Sequence, residues 1–362
     1  MRAFTRRAAL ASPLALMAPP PASAAPAPSL AEAAAARGLL FGASIGDDAF
    51  KDSAYADLYR RETRLVATDI ALKFDYLRPD KDHFDFDRAD QIVAAAEDSG
   101  KLVRGHTLIW NDLAPGWLRS LSRAELERVF DEHIDTVVQR YVGKLHSWDV
   151  VNEPFWPMAG EPGGWRPGPW LTVFGPAYIE RAFRRVRAID PKVRLTLNEA
   201  QCENDHEWGR SIRPLFKNLA EDLLHKGVPL DAVGFQSHLQ PQWPRDYAAF
   251  AEYASQFGRT GLEVYLSEFD VNDQSLPDDM ARRKDACAAI GGEFLSKALK
   301  IQGLKLLVTW QLADRYSYYR AIWRHLHPES ARLPTALPFG DDLQPNPLHR
   351  AMLEAMTGNR GN

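Results

Sequence analysis

Leu145-His146-Ser147-Trp148-Asp149-Val150-Val151-Asn152-Glu153 is a largely apolar run that ends abruptly in an amide and a carboxylate. A run of this length, preceded by Gly143 and followed by Pro154, reads as a buried strand with polar groups at its C-terminal end. A second such run, 263–267, leads directly into Glu268-Phe269-Asp270. Working outward, six more β-prone runs appear at 39–43, 65–68, 102–108, 194–197, 232–236 and 305–310.

Helical patterns fill the spaces between them, at 86–98, 123–142, 177–188, 212–226, 245–257, 280–299 and 348–356. Gly100, Gly143, Gly227, Gly258 and Gly303 each stand between a helical run and the next strand, where glycine readily ends a helix. Strands alternating with helices over this length favour an α/β chain closed as a single (β/α)₈ TIM barrel rather than an open doubly wound sheet. The expected organisation is an export signal at 1–24, a flexible N-terminal segment at 25–38 and the barrel at 39–362.

The 362 residues are 45% hydrophobic, enough for one large core without disulfides or metals. The net charge of −4, from 44 basic and 48 acidic residues, supplies no excess that would draw the chain to a nucleic acid or an anionic membrane. Arg6-Arg7, the mildly apolar residues from Ala9 to Met17, and Ala22-Ser23-Ala24 as a cleavage site form an export signal leaning toward the twin-arginine route. A periplasmic or secreted monomer is therefore expected. Cys202 and Cys287, far apart in sequence, read as separate thiols. The histidines show no zinc-ligand spacing, and neither a phosphate-binding glycine loop nor a serine-hydrolase elbow is present. No cofactor and no metal are expected.

Two carboxylates at the mouth of one barrel suit the cleavage of an acetal. A retaining glycosidase places an acid and a nucleophile about 5 to 5.5 Å apart, an inverting one about 6.5 to 9.5 Å apart. Glu153, preceded by an amide able to hold a sugar hydroxyl, reads as the acid/base. Glu268 reads as the nucleophile, with His238 from the sixth strand to keep it ionised and Asp270 to fix the imidazole tautomer. His106 and Trp110 close the third run, and Trp310 ends the eighth as an aromatic platform for the C–H face of a sugar.

These residues resemble those of the family 10 glycoside hydrolases, best known as endo-1,4-β-xylanases. The resemblance covers about 39–356 and rests on Lys73, Gly105-His106-Thr107-Leu108-Ile109-Trp110, Trp148 to Glu153, Gly234-Phe235-Gln236-Ser237-His238-Leu239, Ser267 to Asp270, and Thr309-Trp310. It implies a (β/α)₈ barrel and retaining hydrolysis through a covalent glycosyl-enzyme, with Glu153 as acid/base and Glu268 as nucleophile. It also implies that Lys73, His106, Asn152, Gln236, His238 and Trp310 surround the sugar that is attacked, the −1 sugar. Trp110 and Tyr318 are further expected substrate contacts.

The chain departs from the family pattern around the next sugar, −2. Asp69 and Ile70 stand where the family has Glu-Asn, Asn111-Asp112-Leu113 follow Trp110, Tyr318 replaces a tryptophan, and Asn198-Glu199-Ala200 replaces Asn-Asp-Tyr. Ile70 and Leu113 are expected to remove hydrogen bonds to that sugar, and Trp156, Trp165 and Trp170 to wall the cleft. A β-linked polysaccharide or oligosaccharide is the expected partner, and internal β-1,4 bonds of xylan are favoured. Another β-linked glycan, a transglycosylase and a non-catalytic carbohydrate-binding barrel remain alternatives; the last would have lost a carboxylate, and both are present.

Overall fold

Each of the eight runs becomes a parallel strand in the computed structural model, which describes residues 27–46 and 48–358. The strands are β1 (Leu40–Ser44), β2 (Leu65–Ala67), β3 (Leu102–Gly105), β4 (Ser147–Asn152), β5 (Arg194–Glu199), β6 (Ala232–Phe235), β7 (Glu263–Val271) and β8 (Leu304–Thr309). Neighbours pair in sequence order, and β8 returns to β1 in the register Phe41↔Leu307, which closes the barrel. Strands covered on both faces are largely apolar, as β6 is throughout, whereas β4, equally buried, also carries Ser147, Asp149 and Asn152.

The main helices are α1 (Leu30–Ala35), α2 (Ser53–Glu62), α3 (Asp87–Asp98), α4 (Arg123–Arg140), α5 (Ala177–Ile189), α6 (Glu207–His225), α7 (Tyr247–Arg259), α8 (Met280–Ala298), α9 (Tyr318–Leu326) and α10 (Pro347–Thr357). In α4, Ser122 and Glu125 form a reciprocal cap worth about 1 kcal/mol, and Val129, Phe130, His133, Ile134, Val137 and Val138 make the buried stripe. The main core lies between this helical ring and the strands; Leu65, Ala67, Ala232, Tyr265, Leu306 and Val308 form a separate small cluster.

Polar groups join the apolar filling. Arg104 and Asp149, both buried, form an ion pair, with Arg104 also over the Tyr265 ring at 5.2 Å. A Cβ at Gly105 would lie 2.3 Å from the Trp148 ring, so the absence of a side chain there lets the indole pack against β3. Replacing a fully buried tryptophan such as Trp148 by alanine costs about 3–5 kcal/mol.

Several expectations are corrected. Part of the segment expected to be flexible, 25–38, is helix α1, capped by Ser29 with Glu32 and burying Leu30, Ala31, Ala33 and Ala34. The third run is interrupted after Gly105, and Ile109–Trp110 resumes as a short pairing with β4. Helix α6 starts at Glu207 and carries Pro214 inside, although a proline there reads as a helix start. Helices α2 and α9 were not anticipated. The expected export signal, 1–24, lies outside the described residues. Cys202 and Cys287 are free and buried.

Candidate active site

The C-terminal ends of the strands turn sharply into their loops. Asp69, Glu153, Gln201, Ser237 and Gln311 follow β2, β4, β5, β6 and β8, and all have positive φ, from 47° to 75°. Non-glycine residues held there cost about 1–3 kcal/mol each, and such strain clusters at functional sites. Glu153 is held in this conformation as its N–H donates to the Asn198 carbonyl at 2.8 Å. Across the β7–β8 pairing, Leu266↔Leu307 is followed by Phe269↔Thr309, so β7 carries an extra residue beside Glu268. A bulge of this kind re-aims side chains.

These turns surround one cleft of about 610 Å³, lined by Lys73, His106, Trp110, Asn152, Glu153, Gln236, His238, Glu268, Trp310 and Tyr318 among others. Every expected substrate-binding and catalytic residue therefore meets in one place. Asp270 stands behind His238, accepting from its Nδ1 at 2.9 Å and from the Tyr319 hydroxyl at 3.1 Å.

The two glutamates are linked through asparagines. The Asn198 Nδ2 donates to Glu268 Oε1 at 2.9 Å and to Asn152 Oδ1 at 2.8 Å. Asn152 Nδ2 in turn donates to Glu153 Oε1 at 3.3 Å, and Gln236 Nε2 donates to the same oxygen at 2.7 Å.

Electrostatics holds Glu268 ionised. Burial alone would raise Glu268, but the fields of His106, His238 and Lys73 and the hydrogen bond from His238 Nε2 at 3.3 Å override it and hold the carboxyl at about 2. Burial opposes charge on His238 as well, yet Asp270 and Glu268 lift its affinity for a proton well above the ordinary imidazole range. A charged imidazolium between two acids and an ionised Glu268 follow from this arrangement. Burial raises Asp69 and Asp270, and drives Glu199 far above the usual carboxylate range, with Glu153 adding to the rise and Arg166 opposing it.

The rim is aromatic. His106 is fixed by Asp149 at 2.9 Å and meets Trp310 edge-on at 5.1 Å. The Lys73 ammonium lies 5.3 Å from the Trp110 ring and 5.7 Å from Trp310. Tyr318, 43% exposed, offers its ring from the start of α9.

Some placements differ from expectation. Asp69, Ile70, Glu199 and Ala200 do line the cleft, but Leu113 does not, and Asn111 is buried, its Oδ1 accepting from the backbone N–H of Trp170 at 3.2 Å. Of the three loop tryptophans, only Trp156 lines the cleft. Trp165 stacks on Phe155 at 4.6 Å, and Trp170 is buried against Phe74 and Phe130, because apolar rings on a loop folded back over the barrel find the core first. Sequence reasoning missed Arg166 and Trp208, and met Asn198 only within the altered Asn198-Glu199-Ala200 stretch, while Tyr319, an alternative to Tyr318 as a sugar contact, lines the cleft beside it. Asn198 was detectable as an amide ending β5; Arg166 sits in a glycine- and proline-rich loop with no periodic signal.

The sequence profile of glycosyl hydrolase family 10 matches residues 29–355. The chain belongs to this family. Among relatives, it is 28% identical over 304 residues to endo-1,4-beta-xylanase B of Thermotoga neapolitana, covering 83% of each chain. It is 31% identical over 353 residues to endo-1,4-beta-xylanase A of Cellvibrio japonicus, covering 89% of this chain and 55% of that one. The crystal structure of xylanase 10B from Thermotoga petrophila in complex with xylobiose superposes with a TM-score of 0.78 at 28% identity, over 91% of this chain and 97% of that one. The closed barrel described above is thus the fold of this family.

Proposed function

We propose that this chain is a retaining endo-1,4-β-xylanase that cuts internal bonds of xylan or xylo-oligosaccharides by double displacement. The observation that carries the reading is the asparagine bridge joining Glu153 to Glu268 within one cleft of a family 10 barrel. The xylanase relatives and the xylobiose-bound neighbour support the substrate class.

In this reading Glu268, ionised and aimed by Asn198 and His238, attacks the anomeric carbon while Glu153 gives its proton to the departing glycosidic oxygen. The resulting ester is opened by water, whose proton returns to Glu153, so configuration is retained. Asn152, His106, Lys73 and Gln236 hold sugar hydroxyls, Trp310 and Trp110 face the apolar side of the ring, and Tyr318 touches the neighbouring sugar. Asp270 serves His238 rather than the substrate.

Purified protein should release xylo-oligosaccharides from linear xylan, glucuronoxylan and arabinoxylan, with products separated by chromatography. Glu268→Ala should abolish release, and Glu153→Gln should abolish it on unactivated chains. Full activity in both variants, or action confined to glycans without xylose, defeats the proposal.

Export, a monomeric state and independence from metal and nucleic acid belong to the same reading, supported by the Arg6-Arg7 leader and the near-neutral charge. Fusion of 1–24 to a reporter should send it out of the cytoplasm, and Arg6-Arg7→Lys-Lys should block that route. Retention of the reporter with the native leader would reject the assignment.

A further inference from the structure

Arg166 is placed as no surface arginine would be. It is 4% exposed, and its guanidinium meets groups from three directions. Its Nη2 lies 2.7 Å from Glu153 Oε2, its Nε donates to the Glu153 carbonyl at 2.7 Å, and its Nη1 donates to Asp112 Oδ2 at 2.5 Å. The same group lies over the Trp156 ring at 4.4 Å, and Trp156 is 36% exposed in the cleft.

We infer that Arg166 is the positioning residue for Glu153: it aims the carboxyl and braces Trp156 as the aromatic surface beside the departing sugar. The inference rests on the assignment of Glu153 as acid/base. A planar fork reaching a side chain and the same residue's carbonyl fixes both the left-handed backbone of Glu153 and the direction of its carboxyl, which a lysine's point charge does not do. Held in this way, the carboxyl keeps one orientation through both half-reactions, facing the leaving oxygen in the first and the attacking water in the second.

Other groups act on Glu153 too. Gln236 donates to it from the end of β6, Glu199 lies beyond it at the end of β5, and Glu268 faces it through the asparagine bridge from β7. His238, His106 and Lys73 line the same cleft, as does Tyr318 from α9, and Asp112 partly neutralises Arg166. Glu199 is no rival partner in the free enzyme. Its oxygens accept from the Phe155 and Ala200 N–H groups, and burial raises its affinity for a proton.

The test compares wild type, Arg166→Gln, Arg166→Lys and Glu153→Gln on two substrates. Xylotetraose has a poor leaving group that needs the acid; 2,4-dinitrophenyl β-xylobioside has one that leaves unaided. For Arg166→Gln, kcat/KM on xylotetraose should fall about tenfold or more, while that on the aryl substrate changes by less than about threefold. Arg166→Lys, which keeps the charge but not the fork, should recover only part of the loss on xylotetraose. Equal losses on both substrates in folded Arg166→Gln, or full recovery of xylotetraose hydrolysis in Arg166→Lys, overturn the inference. The aryl substrate reports folded enzyme, so a misfolded variant is recognised, and Arg166→Lys then carries the comparison. If Glu153→Gln spares xylotetraose, the assignment of Glu153 itself has failed; if it behaves as an acid mutant and Arg166→Gln does not, only the role of Arg166 has.

Discussion

Asn198→Ala should loosen the catalytic pair without touching either glutamate. The asparagine is fully buried, and its side chain serves Glu268 at 2.9 Å, Asn152 at 2.8 Å and Ser267, whose hydroxyl donates to Oδ1 at 2.7 Å. Truncation leaves three buried polar groups short of a partner, one of them ionised. Each such group costs about 1–3 kcal/mol when nothing replaces the bond, and Ser267 recovers part by rotation, so a loss of about 3 kcal/mol of folding stability is expected. Catalysis should suffer separately. Glu268 keeps His238 and Glu153 keeps Gln236, yet the link between the two halves is cut, and a displacement of 1 Å at reacting groups costs about a hundredfold. Equilibrium urea unfolding and kcat/KM on xylotetraose measure the two effects, and a cycle with Ser267→Ala reads the coupling. A variant with wild-type unfolding midpoint and kcat/KM within about threefold of wild type would show that the bridge neither stabilises nor aligns the site.

Gly234→Ala should partly reproduce that phenotype from β6, because a Cβ there would sit 2.1 Å from Asn198 Oδ1 and force the amide to move; crystallographic displacement of Asn198 with reduced kcat checks it, and an unmoved amide speaks against it. Asp314 supplies a pH test of stability. Burial pushes its carboxyl up to about 8, its Oδ1 accepts from Leu337 N–H, and its Oδ2 has no partner. Because the folded value is raised, the proton-dependent stability is complete below the unfolded value near 4 and is lost as pH rises toward about 8. Asp314→Asn should therefore raise the unfolding temperature at pH 8 and leave it nearly unchanged at pH 4; equal shifts at both values would contradict this origin.

The strands were legible because burial on both faces leaves them short and largely apolar, and Gly100, Gly143, Gly227 and Gly303, all at positive φ, precede them, whereas the expected Gly258 lies inside α7 and Gly261 makes that turn; each strand lies within a few residues of its expected bounds. Helix α2 was hidden by its composition. Only Tyr55, Leu58, Tyr59 and Glu62 face inward in Ser53–Glu62, and its cap is the unremarkable Asp52. Helix α9 follows Trp310 so closely that its residues read as a substrate loop, although Tyr319 and Arg320 are buried. The site was legible wherever a strand end fixes a side chain, as at Asn152, Glu153, Gln236, His238 and Glu268. Arg166 was not, since its position depends on a loop doubling back over the cleft, and one charged residue among prolines and glycines encodes no direction.

Helix α1 brings a different consequence. Leu30 N–H donates to Glu62 at 2.9 Å, and the Arg37 guanidinium donates to the Met356 carbonyl at 3.3 Å, which ties the start of the barrel to the end of α10. Both lie below the N-terminal ends of the strands, away from the sugar-facing mouth. A short peptide joining these two neighbourhoods would permit circular permutation with new termini opened in an outer loop, and appended modules at either end would hang beneath the barrel without obstructing a polysaccharide threading across its top.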